Sequence, residues 1–302
     1  MSDHQDHGPG ALREALLTRA NALALPIATN SIDLVVTSPP YFGLRSYKDQ
    51  GEHYACQIGS EATPDEFLDA LLAATAEMAR TLKPSGSIFV NLGDKYVAKQ
   101  LLGIPWRYAL RCVDELGLVL RAELIWHKPN ALPEPVTDRV KRSHETWFHF
   151  TTGTHYYASL DAIRQPHKGA ESATARRGPS GTNRSTATGR KHADGRSVNN
   201  FKHDERGKLP GSVWEVPTYG LRDVPERFES HYAAFPNEWP RRLILGWSPV
   251  GGIVLDPFSG TGSTVGVANA LGRIGIGTDL SQDYLELSRW RTNESTHFDK
   301  VA

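Results

Sequence analysis

The sequence predicts an α/β fold built around a mostly parallel β-sheet, and three observations carry this prediction. The apolar run at 32–37 is short and rich in β-branched residues, as in a strand that is covered on both faces. Helix-like and strand-like segments then alternate between residues 63 and 126. The β-branched run at 253–256 leads into a glycine turn and a helix, an arrangement that is typical of ligand-binding α/β sheets.

The remaining elements follow in chain order. Leucines at mixed three- and four-residue spacing predict a helix over 11–25, before the strand at 32–37. Thr63–Glu66 has the residues of a helix start, and the apolar stripe that follows ends at Lys83–Gly86, before a strand at 87–91. Later segments predict a helix near 105–116, strands near 118–126 and 143–151, an edge strand within 211–217, a helix ending near 247, a helix at 263–272 and a strand at 274–279.

Composition excludes several classes of protein. The 34 Lys and Arg residues equal the 34 Asp and Glu residues, so the net charge of the 302-residue chain does not indicate a nucleic-acid partner. Cys56 and Cys112 are too few for a disulfide framework and have no metal-ligand spacing, which is typical of a reducing cytosol. No run of 18 apolar residues occurs, so we expect a soluble, cytoplasmic protein without membrane contact.

The histidines at 144 and 149 raise the question of a metal site. Their spacing of five residues does not place them on one helix face, whereas the metalloprotease pattern requires a spacing of four. We therefore expect no bound metal.

The segment 164–208 differs sharply in composition from the rest of the chain. It holds eleven Lys and Arg residues against four Asp and Glu residues, an excess of +7 that leaves −7 for the remainder. This asymmetry favours a surface that faces a polyanion, although a solvated linker has a similar composition. We expect an inserted, basic and flexible region over 158–211 and name as DNA-binding candidates Arg45, Arg176, Arg177, Arg184, Arg190, Lys191 and Arg196.

A candidate catalytic motif follows the strand at 32–37. Pro39 and Pro40 have no backbone N–H, so the Ser38 hydroxyl and the carbonyls of Ser38 and Pro39 form a rim of hydrogen-bond acceptors. Such a rim can hold an exocyclic amino group, and the Tyr41 ring can lie flat on the base that carries it. The alternative is a strand that simply ends in a proline-rich turn.

A second motif joins the strand at 253–256 to the next helix and indicates a cofactor site. Its glycines at 260 and 262 let the backbone approach a ligand, and the N-terminus of the helix favours an anionic group. Asp279 ends the next strand, where a carboxylate can bind both hydroxyls of a ribose. The dinucleotide fingerprint fails because its third glycine would fall on Val265, and many ordinary strand-to-helix turns also contain two glycines.

Both motifs resemble those of the beta-group amino DNA methyltransferases. Thr37-Ser38-Pro39-Pro40-Tyr41 is similar to their catalytic motif, and Asp256-Pro257-Phe258-x-Gly260-Thr261-Gly262 to their S-adenosylmethionine motif, in that order along the chain. The resemblance implies a Rossmann-like methyltransferase fold with a mostly parallel seven-stranded sheet, a circularly permuted motif order and an inserted target-recognition region. It also implies S-adenosylmethionine as cofactor, with Phe235 and Pro236 packed against it, double-stranded DNA as substrate, and a cognate restriction endonuclease as a candidate partner.

The resemblance further bears on the modified base. Adenine-N6 enzymes of this family usually have Asp or Asn before Pro-Pro, whereas many cytosine-N4 enzymes have Ser, so Ser38 favours the N4 of a flipped-out cytosine. An adenine-N6 enzyme on the same scaffold is the first alternative, and a non-catalytic nucleic-acid-binding module is the second. Direct transfer to an amine requires no cysteine nucleophile, and neither cysteine lies in a Pro-Cys loop.

Overall fold

The computed structural model describes residues 15–43, 48–49, 52–53, 57–167, 205–218, 220–221, 224–225, 228, 234–293, 297–298 and 301. The chain divides into two compact units. The first combines Met1–Ser159 with Ser212–Ala302, and the second is Leu160–Gly211. The second unit spans nearly the same residues as the insertion that we expected at 158–211.

In the described part of the first unit, eight strands form one mixed sheet with the order β1-β12-β11-β2-β5-β9-β8-β10. The strands of this sheet are β1 (Leu16–Arg19), β2 (Ile32–Thr37), β5 (Leu82–Leu92), β8 (Val119–His127), β9 (His144–Thr151), β10 (Val213–Glu215), β11 (Ile253–Asp256) and β12 (Ile274–Asp279). Two short hairpins pair β3 (Lys48–Asp49) with β4 (Glu52–His53) and β6 (Tyr96–Val97) with β7 (Gln100–Leu101). All neighbours in the sheet are parallel except β9, which is antiparallel to β5 and β8. The predicted mostly parallel α/β sheet is therefore confirmed, with eight strands rather than seven.

The described helices of this unit are α1 (Pro64–Thr81), α2 (Ile104–Asp114), α3 (Glu238–Trp247), α4 (Ser263–Ala270) and α5 (Gln282–Asn293). The start of α1 is the predicted capping box: the Glu66 N–H donates to the Thr63 hydroxyl at 3.3 Å and the Thr63 N–H donates to the Glu66 carboxylate at 3.0 Å. None of the described helices is long and apolar enough to span a bilayer.

The core lies on both faces of the central strands. Ile32, Leu34, Val35 and Val36 of β2 are all fully buried. Ile32 and Val35 belong to the same core cluster as the buried side chains of α1, and α3 also contacts β2. Continuous burial explains why this strand reads as an apolar run without alternation. The strand consequently has little freedom to move, and it carries Ser38 to Tyr41 directly at its end.

The prediction of a helix over 11–25 is wrong for residues 15–25, the part of this segment that the structure describes. Leu16–Arg19 forms the edge strand β1, which pairs in parallel with Ile276–Asp279. The pairing satisfies the backbone along the outer side of β12, and Leu16 remains 53% exposed at the edge of the sheet. Only Ala22 and Leu25 beyond the strand are buried, so the leucine spacing reflected separate contacts rather than one helix face.

The break predicted at Lys83–Gly86 lies inside a strand. β5 begins at Leu82, directly after α1, and its pairing with β2 is irregular: Ile32 lies opposite Leu82, whereas Leu34 lies opposite Ser87. The polar residues between these two positions are accommodated as an irregularity of the ladder. Lys83 there forms an ion pair with Asp33 at 2.8 Å.

The described residues of the second unit are few. Leu160–Ile163 forms a short 3₁₀ helix, and Gln165 and Lys208 exchange two backbone hydrogen bonds of 2.9 Å each in an antiparallel bridge. The Arg164 guanidinium donates to the Gly207 carbonyl at 2.6 Å. The two ends of the insertion are therefore held together by these backbone and side-chain hydrogen bonds between 164–165 and 207–208, which we call the closed neck.

Candidate active site

A cleft of about 820 Å³ opens at the carboxyl ends of β2, β5, β11 and β12 in the first unit. Parallel strands gather the residues that follow them at one edge of the sheet, which is where ligands bind in this class of fold. Of the residues predicted as catalytic or cofactor-binding, those that line the cleft are Ser38, Pro39, Pro40, Tyr41, Phe235, Pro257, Phe258, Gly260, Thr261 and Asp279. The two motifs, more than 200 residues apart in the sequence, thus share one cavity.

Three predicted residues lie beside the cleft rather than on its surface. Pro236 is buried, and Asp256 is 1% exposed behind the glycine turn. Gly262 has a left-handed backbone, and a Cβ there would lie 2.1 Å from Ser288 Oγ, so its lack of a side chain lets α5 approach the turn. The predicted DNA-binding residues, from Arg45 to Arg196, lie outside the described residues.

The predicted catalytic motif is held by a hydrogen-bond network that the sequence did not reveal. The Tyr41 hydroxyl donates to Glu145 Oε2 at 2.8 Å, and Asn91 Nδ2 donates to both the Tyr41 oxygen and Glu145 Oε2, at 2.8 and 2.9 Å. Lys128 forms a short ion pair with Glu145 Oε1. Ser38 Oγ donates towards the Tyr41 oxygen at 3.4 Å. Ser38 and Tyr41 follow β2, whereas Asn91 lies near the end of β5, Lys128 directly after β8 and Glu145 near the start of β9. All five side chains line the cleft.

The Tyr41 ring itself is fixed by close packing. A Cβ on Gly93 would lie only 2.6 Å from Tyr41 Cε2, so the ring rests against the bare backbone of this glycine. Half-buried and anchored through its hydroxyl, the ring has a defined orientation at the cleft.

The glycine turn is organised around Asp279. The Gly260 N–H donates to Asp279 Oδ2 at 2.9 Å and the Ser281 N–H donates to Oδ1 at 2.9 Å. Gly260 has a φ of +47°, and a Cβ there would meet only the Phe258 carbonyl, at 3.9 Å. The backbone at Gly260 is therefore open to a ligand in the cleft.

A buried arginine supports the same turn from behind. Arg291 of α5 is 4% exposed, and its Nη1 donates to the Thr261 carbonyl at 2.6 Å, the Thr261 hydroxyl at 2.8 Å and Ser263 Oγ at 3.1 Å. Burial lowers the pKa of Arg291 to about 10, so the guanidinium remains charged at neutral pH. Nothing in the sequence around Arg291 distinguishes it from a surface arginine.

Asp256 joins the two motifs. Its Oδ1 accepts from the Thr37 hydroxyl at 2.6 Å and from the Phe258 N–H at 3.1 Å, so the last residue of β2 is tied to the start of the glycine turn. Burial raises the pKa of Asp256 to about 6, against the lowering effect of the hydrogen bond from Thr37.

His149, one of the two histidines considered for a metal site, is buried against an aromatic ring and a serine. His149 is 2% exposed, contacts Ser87 Oγ at 2.9 Å, and stacks on Phe89 with ring centroids 4.2 Å apart. Burial lowers its pKa to about 3. Among the described residues, no group of three or more His, Cys, Asp or Glu side chains is arranged to hold a metal ion.

Comparison with known proteins gives concordant results. The family model for N6/N4 DNA methylases matches residues 32–289. The type II methyltransferase M.SmaI of Serratia marcescens is 31% identical over 86% of this chain and 83% of its own length. The type II methyltransferase M.Cfr9I of Citrobacter freundii is 30% identical over 97% of this chain and 93% of its own length.

Solved structures share the fold. The PvuII DNA methyltransferase, described as cytosine-N4-specific, superposes with a TM-score of 0.65 over 96% of this chain and 93% of its own at 19% identity. A protein of Thermus thermophilus solved in complex with S-adenosyl-L-methionine has a TM-score of 0.58 and 25% identity, over 94% of this chain and 97% of its own.

Proposed function

Because this chain belongs to the DNA methylase family, whose model matches it from residue 32 to residue 289, we propose that it methylates the exocyclic N4 of cytosine in double-stranded DNA, with S-adenosyl-L-methionine as methyl donor. The observation that carries the choice of base is Ser38, a neutral hydroxyl directly before Pro39 and Pro40 at the surface of the cleft. The family model includes enzymes of both the N6 and the N4 class, so adenine-N6 is the second candidate.

The residues around the glycine turn fit S-adenosyl-L-methionine, which when bound supplies a methyl group on a positively charged sulfonium. A carboxylate can accept about four hydrogen bonds, so Asp279 can bind ribose hydroxyls while it holds Gly260 and Ser281. Phe235 and Phe258 add apolar walls to the same cleft. The first N–H groups of α4, beyond Thr261, favour the carboxylate of the methionine moiety.

The acceptor rim activates the amine of the target base. An exocyclic amine is a poor nucleophile because its lone pair is delocalised into the ring. Ser38 Oγ and the Pro39 carbonyl accept its two hydrogens, which favours a pyramidal nitrogen and directs the lone pair towards the methyl group. The target must leave the duplex to reach this cleft, and the fixed ring of Tyr41 offers a surface on which it stacks.

A route through ring C5 requires a reactive thiolate, and the described cysteine is not one. Cys112 lies on α2, fully buried, and burial raises its pKa to about 12. Cys112 therefore does not fit the nucleophile of that route, and Cys56 lies outside the described residues. The position of Ser38 and Pro39 at the surface of the cleft supports direct transfer to an amine.

We further assign the insertion at 158–211 to target recognition. The support is its +7 charge excess within 164–208, which includes Arg176, Arg177, Arg184, Arg190, Lys191 and Arg196. Arg45, close to the catalytic motif in the sequence, is proposed as a phosphate contact. Type II methyltransferases among the relatives support a restriction-modification role, in which an endonuclease acts on the same site in the cytoplasm.

Identification of the methylated nucleoside tests the proposal. DNA incubated with the protein and labelled S-adenosyl-L-methionine is digested to nucleosides, which are separated by chromatography before mass analysis because N4- and C5-methylcytosine have equal masses. We expect N4-methylcytosine. N6-methyladenine as the only product overturns the choice of base, and unmodified DNA at every site of a random-sequence substrate overturns the activity.

A further inference from the structure

We propose that Glu145 is a positioning residue for methyl transfer, because it makes Ser38 a hydrogen-bond acceptor by fixing the direction of the bonds between Ser38 and Tyr41. The inference rests on the proposed function and assigns to that site a residue outside both sequence motifs. Glu145 lies at the start of β9, and its side chain is 16% exposed at the wall of the cleft.

The direction of the hydrogen bonds follows from the chemistry of each group. A carboxylate can only accept, so the bond of 2.8 Å between Tyr41 and Glu145 Oε2 uses the proton of the tyrosine. The Tyr41 oxygen is then an acceptor, and it lies 3.4 Å from Ser38 Oγ, which donates to it. The lone pairs of Ser38 Oγ are thereby left to accept an N–H hydrogen of the incoming amine, whose own lone pair is directed at the methyl group.

The distance of 3.4 Å is long for a hydrogen bond between two hydroxyl groups. Hydrogen bonds at catalytic groups are often long in the free enzyme and shorten when substrate binds. An amine that donates to Ser38 Oγ increases the polarity of the serine hydroxyl, which strengthens the bond that Ser38 donates to Tyr41.

The surroundings of Glu145 keep it in the accepting role. Lys128 pairs with Oε1, and its Nζ also lies 4.2 Å from the centre of the Trp126 ring. Asn91, 1% exposed, donates to Oε2 at 2.9 Å and to the Tyr41 oxygen at 2.8 Å. Each of these donors requires an acceptor, so the carboxylate cannot rotate away from Tyr41 without losing charge-assisted bonds.

Replacement of the carboxylate by an amide predicts the opposite polarity. In Glu145→Gln, the new amide oxygen is drawn to the Lys128 ammonium, which turns the amide N–H₂ towards Tyr41 and Asn91. Asn91 loses the acceptor that Oε2 gives it in the wild type. The Tyr41 oxygen accepts from the new amide, so the tyrosine proton is directed at Ser38 and the serine proton at the amine of the base. The variant keeps the shape of the side chain and reverses what Ser38 offers.

A double-mutant cycle tests the inference. Single-turnover methyl transfer is measured at saturating DNA and cofactor for the wild type, Glu145→Gln, Tyr41→Phe and the double variant, with Glu215→Gln as the matched control. Glu215 is a carboxylate on β10 beside β8, paired with His127 at 3.3 Å outside the cleft. We expect each single variant to slow transfer roughly 10- to 100-fold. The double variant should be no slower than the slower single variant, and the control should react at the wild-type rate.

The cofactor affinity, measured by calorimetry, should change less than about twofold in each variant, since a positioning role affects the transfer step alone.

A full rate of methyl transfer in Glu145→Gln, or effects that multiply in the double variant, overturns the inference. If Glu145→Gln loses cofactor binding because it does not fold, Tyr41→Phe decides: it keeps the ring and lacks only the hydroxyl, so a full rate overturns the inference and a slow rate supports it. A wild type that methylates no base overturns the proposed function as well, whereas N6-methyladenine as product changes the base and leaves the cycle valid.

Discussion

At the scale of single residues, Asp256 links the chemistry of the cleft to the stability of the chain. Its pKa of about 6 in the fold lies above the value of about 3.9 for an exposed Asp. A folded state with the higher pKa binds the proton more tightly, so this contribution to stability is fully present below about pH 4 and is lost as the pH rises through 6.

Asp256→Asn should therefore remove a pH-dependent term. The free energy of unfolding of the wild type relative to this variant should fall by about 2–3 kcal/mol between pH 4 and pH 7. Urea unfolding at several pH values measures this difference. Asp138→Asn, in an exposed ion pair with Lys99, serves as control, and a difference that does not vary with pH would contradict the prediction.

Asp279 gives a second prediction at this scale. Asp279→Ala removes the acceptor proposed for the ribose hydroxyls and also releases the N–H groups of Gly260 and Ser281. Loss of a charge-assisted hydrogen bond costs about 1.5–3 kcal/mol, so cofactor affinity should fall roughly tenfold to a hundredfold. Calorimetry with S-adenosyl-L-methionine provides the measurement, and an unchanged affinity in the folded variant would remove Asp279 from the site.

At the scale of elements, the glycine turn depends on α5 as much as on its own sequence. Gly262 and Ser288 allow the close approach of the helix to the turn, and Arg291 then bonds to Thr261 from within the protein. The cofactor motif is therefore held by a helix that begins some twenty residues after the glycines.

Arg291→Met should loosen the turn while it fills a similar volume. Buried acceptors at Thr261 and Ser263 would lose their partner, so we expect the free energy of unfolding to fall by about 1–3 kcal/mol and cofactor affinity to fall with it. Thermal unfolding with and without S-adenosyl-L-methionine measures both effects. Arg289→Met, exposed on the same helix, is the control, and equal behaviour of the two variants would show that Arg291 does not support the site.

The elements also show which parts of the site could be predicted from the sequence. Ser38 and Tyr41 could be predicted because they belong to a local motif that begins directly after the buried strand β2. Asp279 could be predicted because it ends the parallel strand β12. Asn91 lies one residue before the end of β5, the neighbour of β2, so the rule that ligand groups gather at carboxyl ends could have identified it. Glu145 lies at the start of β9, and only the antiparallel direction of that strand brings it to the same edge, which the residue pattern does not specify.

At the scale of the whole molecule, the uneven charge predicts how the protein binds DNA. Deleting 170–205 removes residues of the basic excess, so the logarithm of the DNA association constant should depend less steeply on the logarithm of salt concentration. Sequence preference should be lost while S-adenosyl-L-methionine still binds. Titrations of DNA at several salt concentrations measure the slope, and retained site-specific methylation would contradict the assignment of this region to recognition.

The closed neck of the second unit has a consequence for how such enzymes diversify. Gln165 and Lys208 are joined by backbone hydrogen bonds that need no side chain of the intervening segment. Under the proposed assignment, that segment can therefore change in length and composition while its two ends stay together. On the same assignment, a new target sequence can be acquired by exchange of this segment as a cassette. Selection can then act on specificity while the residues that perform the reaction stay unaltered.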